Sequence, residues 1–130
     1  MRAINSNGLQ LRLDEEEAAD RVHVDETIHI IAIEPGSGTH NGRSVQALRT
    51  ADAVTHNWFT ATLGTPIAGP YALAAAMQST DGGDTATLRV RNLSANSLQL
   101  KVEEEKSREA EIGHTTETVG ILLIESASNP

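Results

Sequence analysis

The chain has 130 residues, no cysteine, and eighteen acidic against ten basic side chains, for a formal charge of −8. That length suits one domain with an adequate core and no need of a disulfide staple. The acidic balance argues against a nucleic-acid backbone or an anionic membrane as the main partner, because both select positive charge. No apolar run approaches the roughly 20 residues of a membrane helix; the longest, VGILLI at 119–124, has the length of one buried strand. MRAINSNG at the start carries no apolar h-region, so no export signal is expected in it. Trp58, Phe59 and Tyr71 are the whole aromatic set, which implies an aliphatic core and excludes a broad aromatic platform for sugars or bases.

In chain order, Leu9, Leu11 and Leu13 alternate with Gln10 and Arg12, the period-two pattern of a strand with one wet face. DEEEAADRV follows at 14–22; it has good helix propensity, but at nine residues no more than a single turn is expected. TIHIIAIE (27–34) is apolar on both sides and reads as a strand covered on two faces. EPGSGTHNGR (34–43) reads as an inter-repeat linker, since it lacks the Lys-Ser/Thr that closes a phosphate loop. SVQALRT (44–50) is a further strand candidate. WFTATL (58–63) and YALAAAMQ (71–78) read as strands joined by GTPIAGP. The alanine run has helix propensity, yet it is short, bounded by Pro70 and Ser79, and set among strands. TDGGD (80–84) is a turn, and TATLRVRNL (85–93) a strand with Ala86, Leu88 and Val90 inward and Arg89 and Arg91 outward. After the turn SANS come Leu98, Leu100 and Val102, alternating with Gln99 and Lys101. A second acidic stretch, EEEKSREAE (103–111), precedes the two-sided strand TVGILLIE (118–125).

The chain repeats itself. RAINSNGLQLRLDEEE (2–17) aligns with RNLSANSLQLKVEEEK (91–106) at an offset of 89, and HVDETIHIIAIE (23–34) with HTTETVGILLIE (114–125) at 91. Residues 1–36 therefore read as the last third of a repeat, 37–54 as a linker with a candidate first strand, and 55–130 as a nearly complete unit. Together they are expected to form one globular domain, a window on a longer tandem array. The fold class expected is all-β, an antiparallel sandwich with an extra pair of strands from the partial repeat. Residues 28–33 are too apolar to remain an unpaired edge. They are expected to join the second unit's sheet or to pair with the same segment of another chain. Self-association, and a marked loss of stability in a chain beginning near Ser37, follow from that expectation.

Trp58 in HNWFTATL, the proline before YALAAAMQ, LRVRNLSANSLQLKV and the final VGILLIE resemble the H-type lectin domain over roughly residues 55–125. The carboxylate run and His-x-x-Glu before the last strand are similar to repeats of large extracellular bacterial proteins. The resemblance implies a sandwich of six antiparallel strands, trimeric assembly, a secreted or cell-surface location, and sugar binding.

The candidate ligand contacts are Trp58, Asp84, Arg89 and Arg91, with Trp58 read more as a core or edge anchor than as a sugar platform. The candidate metal ligands are Glu16, His23 and Glu26 in the first copy, and Glu105, His114 and Glu117 in the second. Calcium or zinc would suit those residue types. On a strand, however, positions three apart face opposite ways, so His-x-x-Glu needs a bulge or turn to converge. The favoured reading is structural: Glu26 and Glu117 accept hydrogen bonds from a neighbouring turn, with His23 and His114 as partners. Arg2, Arg89 and Arg91 would then face the acidic loops. His29, where the second copy has Gly120, reads as a buried or interface histidine. No nucleophile motif accompanies the histidines, so no enzyme and no cofactor are expected. The expected function is glycan or surface recognition, with a structural assembly repeat or an ion-stabilised domain as alternatives.

Overall fold

The computed structural model describes residues 2–5, 7–11, 13–16, 18–20, 22–108 and 110–126, with the backbone alone for 2–5. The placements expected for Arg12 and for the side chain of Arg2 lie outside the described residues. Nine strands occur among the described residues: β1 (Arg2–Asn5), β2 (Gly8–Gln10), β3 (Gly36–His40), β4 (Arg43–Arg49), β5 (Phe59–Thr62), β6 (Tyr71–Met77), β7 (Ala86–Arg91), β8 (Ser97–Glu104) and β9 (Val119–Glu125). All pairings are antiparallel, in sheets of order β3-β4-β9-β6 and β5-β8-β7 and a separate hairpin β1-β2.

The two larger sheets form a sandwich. β8 is central in one, and its alternation sends Leu98, Leu100 and Val102 inward to complete burial. β9 is central in the other and contributes Val119, Ile121 and Leu123 to the same cluster. Val54, Ala61, Leu63 and Ile67 complete an aliphatic core, with Phe59 and Tyr71 only at its margin. Gln46 is buried too, and its amide is used: Oε1 accepts from Thr65 N–H at 3.1 Å while Nε2 donates to the Thr65 carbonyl. That pair fastens the loop after β5 to β4 and satisfies a polar group that would otherwise be costly.

The alanine-rich segment is strand β6, as its neighbours suggested, because β9 offers it a full ladder from Tyr71↔Glu125 to Met77↔Val119. Residues 34–43 are not a linker. Gly36–His40 pairs with Arg43–Arg49, and Asn41 (φ 52°) and Gly42 (φ 73°) make the two-residue turn between them. Positive φ at both positions is what a type I′ hairpin turn requires, and Asn-Gly supplies it with least strain.

The largest departure concerns residues 9–34. Residues 27–34 form no strand, and Ile28, Ile30, Ile31 and Ile33 are each 45–76% exposed. His29 is exposed as well, not buried. Leu11 and Leu13 lie in solvent where their twins Leu100 and Val102 are buried. The reason is occupancy: β4 and β6 already hold β9 between them, and β5 and β7 already hold β8. Residues 30–33 instead lie along the outer face of the four-stranded sheet, beside Ala47, Ala74, Ala76, Gly120 and Leu122. No described residue before Leu48 belongs to the hydrophobic core cluster or is a hydrophobic neighbour packed against it. The expected cost of deleting residues 1–34 is therefore small, about 1–2 kcal/mol for partly covered isoleucines. A thermal melt of the shortened chain should lie within several degrees of the full one.

Candidate functional site

The only fully buried ionisable cluster among the described residues closes one end of the sandwich. His114 Nδ1 lies 2.9 Å from Glu104 Oε1, and its Nε2 lies 3.1 Å from Glu117 Oε1. All three side chains are at most 5% exposed. β8 delivers Glu104, because the period-two alternation that buries Leu98, Leu100 and Val102 also turns residue 104 inward. Glu117 is fixed by a bridge to Val54, with Glu117 N–H donating to the Val54 carbonyl at 2.8 Å and Val54 N–H returning the bond at 3.1 Å. His114 precedes it in an irregular segment, which is how a His-x-x-Glu pair meets without a helix. Its own N–H donates to His56 Nδ1 at 3.2 Å.

The turn after β6 supplies the other donors. Ser79 Oγ donates to Glu117 Oε2, and Asp81 N–H and Gly82 N–H donate to Oε1 at 2.8 and 3.3 Å. Ser79 Oγ also accepts from Thr118 N–H at 2.8 Å. Burial pushes the Glu117 carboxyl up, but the donors from Ser79, Asp81, Gly82 and His114 outweigh it and hold the group below its ordinary value. Each ring nitrogen of His114 meets one carboxylate oxygen, so neither is left without a partner in the interior. The structural reading of Glu117 is thus realised, with Glu104 as the further partner that was missed. Continuing the alternation of β8 by one more step would have found it.

Gly82 packs against the His114 ring. A Cβ there would stand 2.4 Å from Cε1, closer than any real contact. Gly82→Ala should cost about 2–3 kcal/mol, in the range of overpacking a core, and chemical denaturation would measure it.

The metal reading does not assemble. Glu104 and Glu117 occupy opposite nitrogens of one ring and so do not converge on a common point. Glu105 is turned to Ser107, whose N–H and hydroxyl each lie 2.6 Å from its oxygens. In the first copy Glu16, His23 and Glu26 are exposed, and His23 Nδ1–H donates to the Val24 carbonyl at 2.8 Å. Among the described residues no group of three or more His, Cys, Asp or Glu side chains is placed to hold an ion.

The ligand candidates lie on the outer face of the three-stranded sheet. The register sets Arg91 beside Gln99 beside Thr60, and Arg89 beside Lys101, with Trp58 one residue before β5 on the same face. The Arg91 guanidinium lies 3.8 Å over the Trp58 ring, and Lys101 Nζ 5.4 Å from its centroid. Arg91 Nε donates to Gln99 Oε1 at 2.9 Å, an oxygen that also accepts from Asn92 Nδ2 at 2.8 Å. The Trp58 ring face is thus stacked by arginine, a contact worth about 0.5–1 kcal/mol at such a site. Arg89 and Lys101 both pair with Glu103, and those two hydrogen bonds, Lys101 first, hold the Glu103 carboxyl low. Asp84 does not belong with them. It sits in the turn before β7, about 20 Å along the strand from Arg91 at roughly 3.3 Å per residue. Lys101 and Gln99, absent from the expected set, complete the patch; as wet-face residues of β8 they were legible in the alternation. The chain matches no family model, no curated protein and no solved structure.

Proposed function

We propose that this chain is a non-catalytic recognition module of an extracellular protein, similar to H-type lectin domains, that binds glycans or a glycan-bearing surface. The reading rests on one observation above all. Trp58, Arg91 and Gln99 form a preorganised polar patch in which the Arg91 guanidinium is stacked at 3.8 Å and held by a single hydrogen bond through Nε. Its two terminal nitrogens are directed to no carboxylate among the described residues. A planar donor fork of that kind suits paired hydroxyls or a carboxylate of a sugar. Because Trp58 is the sole tryptophan, its fluorescence reports on the patch directly. A glycan array followed by fluorescence titration should find a ligand, and Arg91→Ala should weaken it at least about tenfold, the worth of one charged hydrogen bond, while lowering the melting temperature by no more than about 5 °C. Array binding that survives Arg91→Ala would place recognition elsewhere.

A second reading, an assembly repeat without small ligand, is favoured by the recurrence of the buried cluster's residue types as Glu15, His23 and Glu26. A negative array together with chain association in light scattering would support it.

A further inference from the structure

We infer that residues 2–34 are the closing arm of a second sandwich, and that their partner is a unit of this same repeat carrying the counterparts of β3 to β7. Three independent correspondences carry this. First, the hairpin β1-β2 pairs Arg2 with Gln10, and at an offset of 89 the complete unit pairs Arg91 with Gln99. The tip of the β7-β8 hairpin is thus rebuilt in the same register within the partial copy. In the complete unit β8 goes on past Gln99 to pair along β5 and β7.

Second, the apolar residues of the arm match β8 and β9 and have no core to enter. Leu9, Leu11 and Leu13 correspond to the buried Leu98, Leu100 and Val102, and Ile28, Ile30 and Ala32 to the buried Val119, Ile121 and Leu123. A segment with that pattern on both faces is a central strand, and central strands need a neighbour on each side.

Third, the buried cluster is present in full as residue types. Glu15, His23 and Glu26 stand where Glu104, His114 and Glu117 stand, yet His23 and Glu26 are exposed. What the arm lacks is the Ser79–Gly82 turn that donates three hydrogen bonds to Glu117. A preceding unit would bring that turn from between its own fourth and fifth strands, the counterparts of β6 and β7. The cluster is in this sense a buckle, shut once a unit's first five strands meet its last two.

The junction follows. In such an array the central strand ending at Glu34 passes through Pro35 alone into the edge strand beginning at Gly36. Consecutive sandwiches would be joined by one proline, a stiff connection rather than a flexible tether.

The test extends the existing chain. A second copy of residues 36–90 placed directly before Arg2 restores an unbroken unit, because Val90 precedes Arg91 as it would then precede Arg2. Hydrogen exchange at residues 28–33 should slow by on the order of 100-fold or more relative to the 130-residue chain, towards the level of residues 119–124. His23→Ala should destabilise the added unit while leaving the 130-residue chain unaffected. Unchanged exchange at 28–33 in a folded extended chain overturns the inference. Should the added unit fail to fold, the 130-residue chain still decides. Ile30→Asp should leave its melt unchanged while Ile121→Asp abolishes the transition, and equal damage from both would show that the arm already belongs to the one sandwich.

Discussion

Glu117→Ala should destabilise the domain by about 3–5 kcal/mol, the cost of leaving several buried donors without their acceptor. The side chain is 1% exposed and receives hydrogen bonds from Ser79, Asp81, Gly82 and His114. Its loss leaves two backbone N–H groups and a hydroxyl without their acceptor, in a place with little access for water. Of a total that is commonly 5–15 kcal/mol for a domain, this is a large share. Glu117→Gln should cost less, since an amide oxygen in the place of Oε1 still accepts from Asp81, Gly82 and His114, while its NH2 faces the Ser79 hydroxyl, which can accept from it. Urea titration with an unchanged slope would give the difference.

The same carboxylate gives stability a sign with pH. Its folded value lies below the ordinary 4.5. A depressed group contributes its full stability above the unfolded value and loses it as pH falls through the folded one. The melting temperature of the native chain should therefore fall as pH drops below 4.5, and Glu117→Gln should flatten that slope. Glu103, held low by Lys101 and Arg89, and Glu125, held low by the N–H and hydroxyl of Ser44, act in the same direction. Salt would screen the ion pairs of Glu103 but not the Ser44 hydrogen bonds of Glu125, so the difference between the native chain and Glu117→Gln is what isolates the buried group.

Strand alternation carried most of what could be read in advance. Leu98, Leu100 and Val102 inward, Gln99 and Lys101 outward, and the two-sided character of 118–125 are local facts of side-chain order, and the sandwich preserves them. The alanine run at 71–77 resolved as strand because a partner with matching length existed. What local pattern could not supply was occupancy. Residues 27–34 carry the same pattern as β9, yet only one strand can stand between β4 and β6. Competition of that kind is a property of the whole chain, invisible in any window of it. The Asn41-Gly42 turn was legible and was passed over because glycine-rich sequence between repeats looks like linker. Of the site, Glu117 and its turn donors were anticipated and Glu104 was not, although His-x-x-Glu drew attention to the right place. Arg91 on Trp58 depends on cross-strand register, which alternation alone leaves open.

The two copies of Leu-Gln-Leu permit one sharp comparison. Leu100 is fully buried between β5 and β7, with Phe59 and Val90 as its cross-strand partners. Leu100→Ala should cost about 3–5 kcal/mol, the transfer of the lost methyl groups plus the cavity left behind in a close-packed core. Leu11 is the same residue in the same triplet, but 37% exposed and outside the core cluster. Leu11→Ala should cost under about 1 kcal/mol, in the range of ordinary surface substitutions. The ratio matters more than either value. Identical chemistry at equivalent positions would separate by several kcal/mol through packing alone, and denaturation of the two single variants side by side would measure it. Equal costs would mean that the first triplet is packed as the second is, contrary to the sheet order described above.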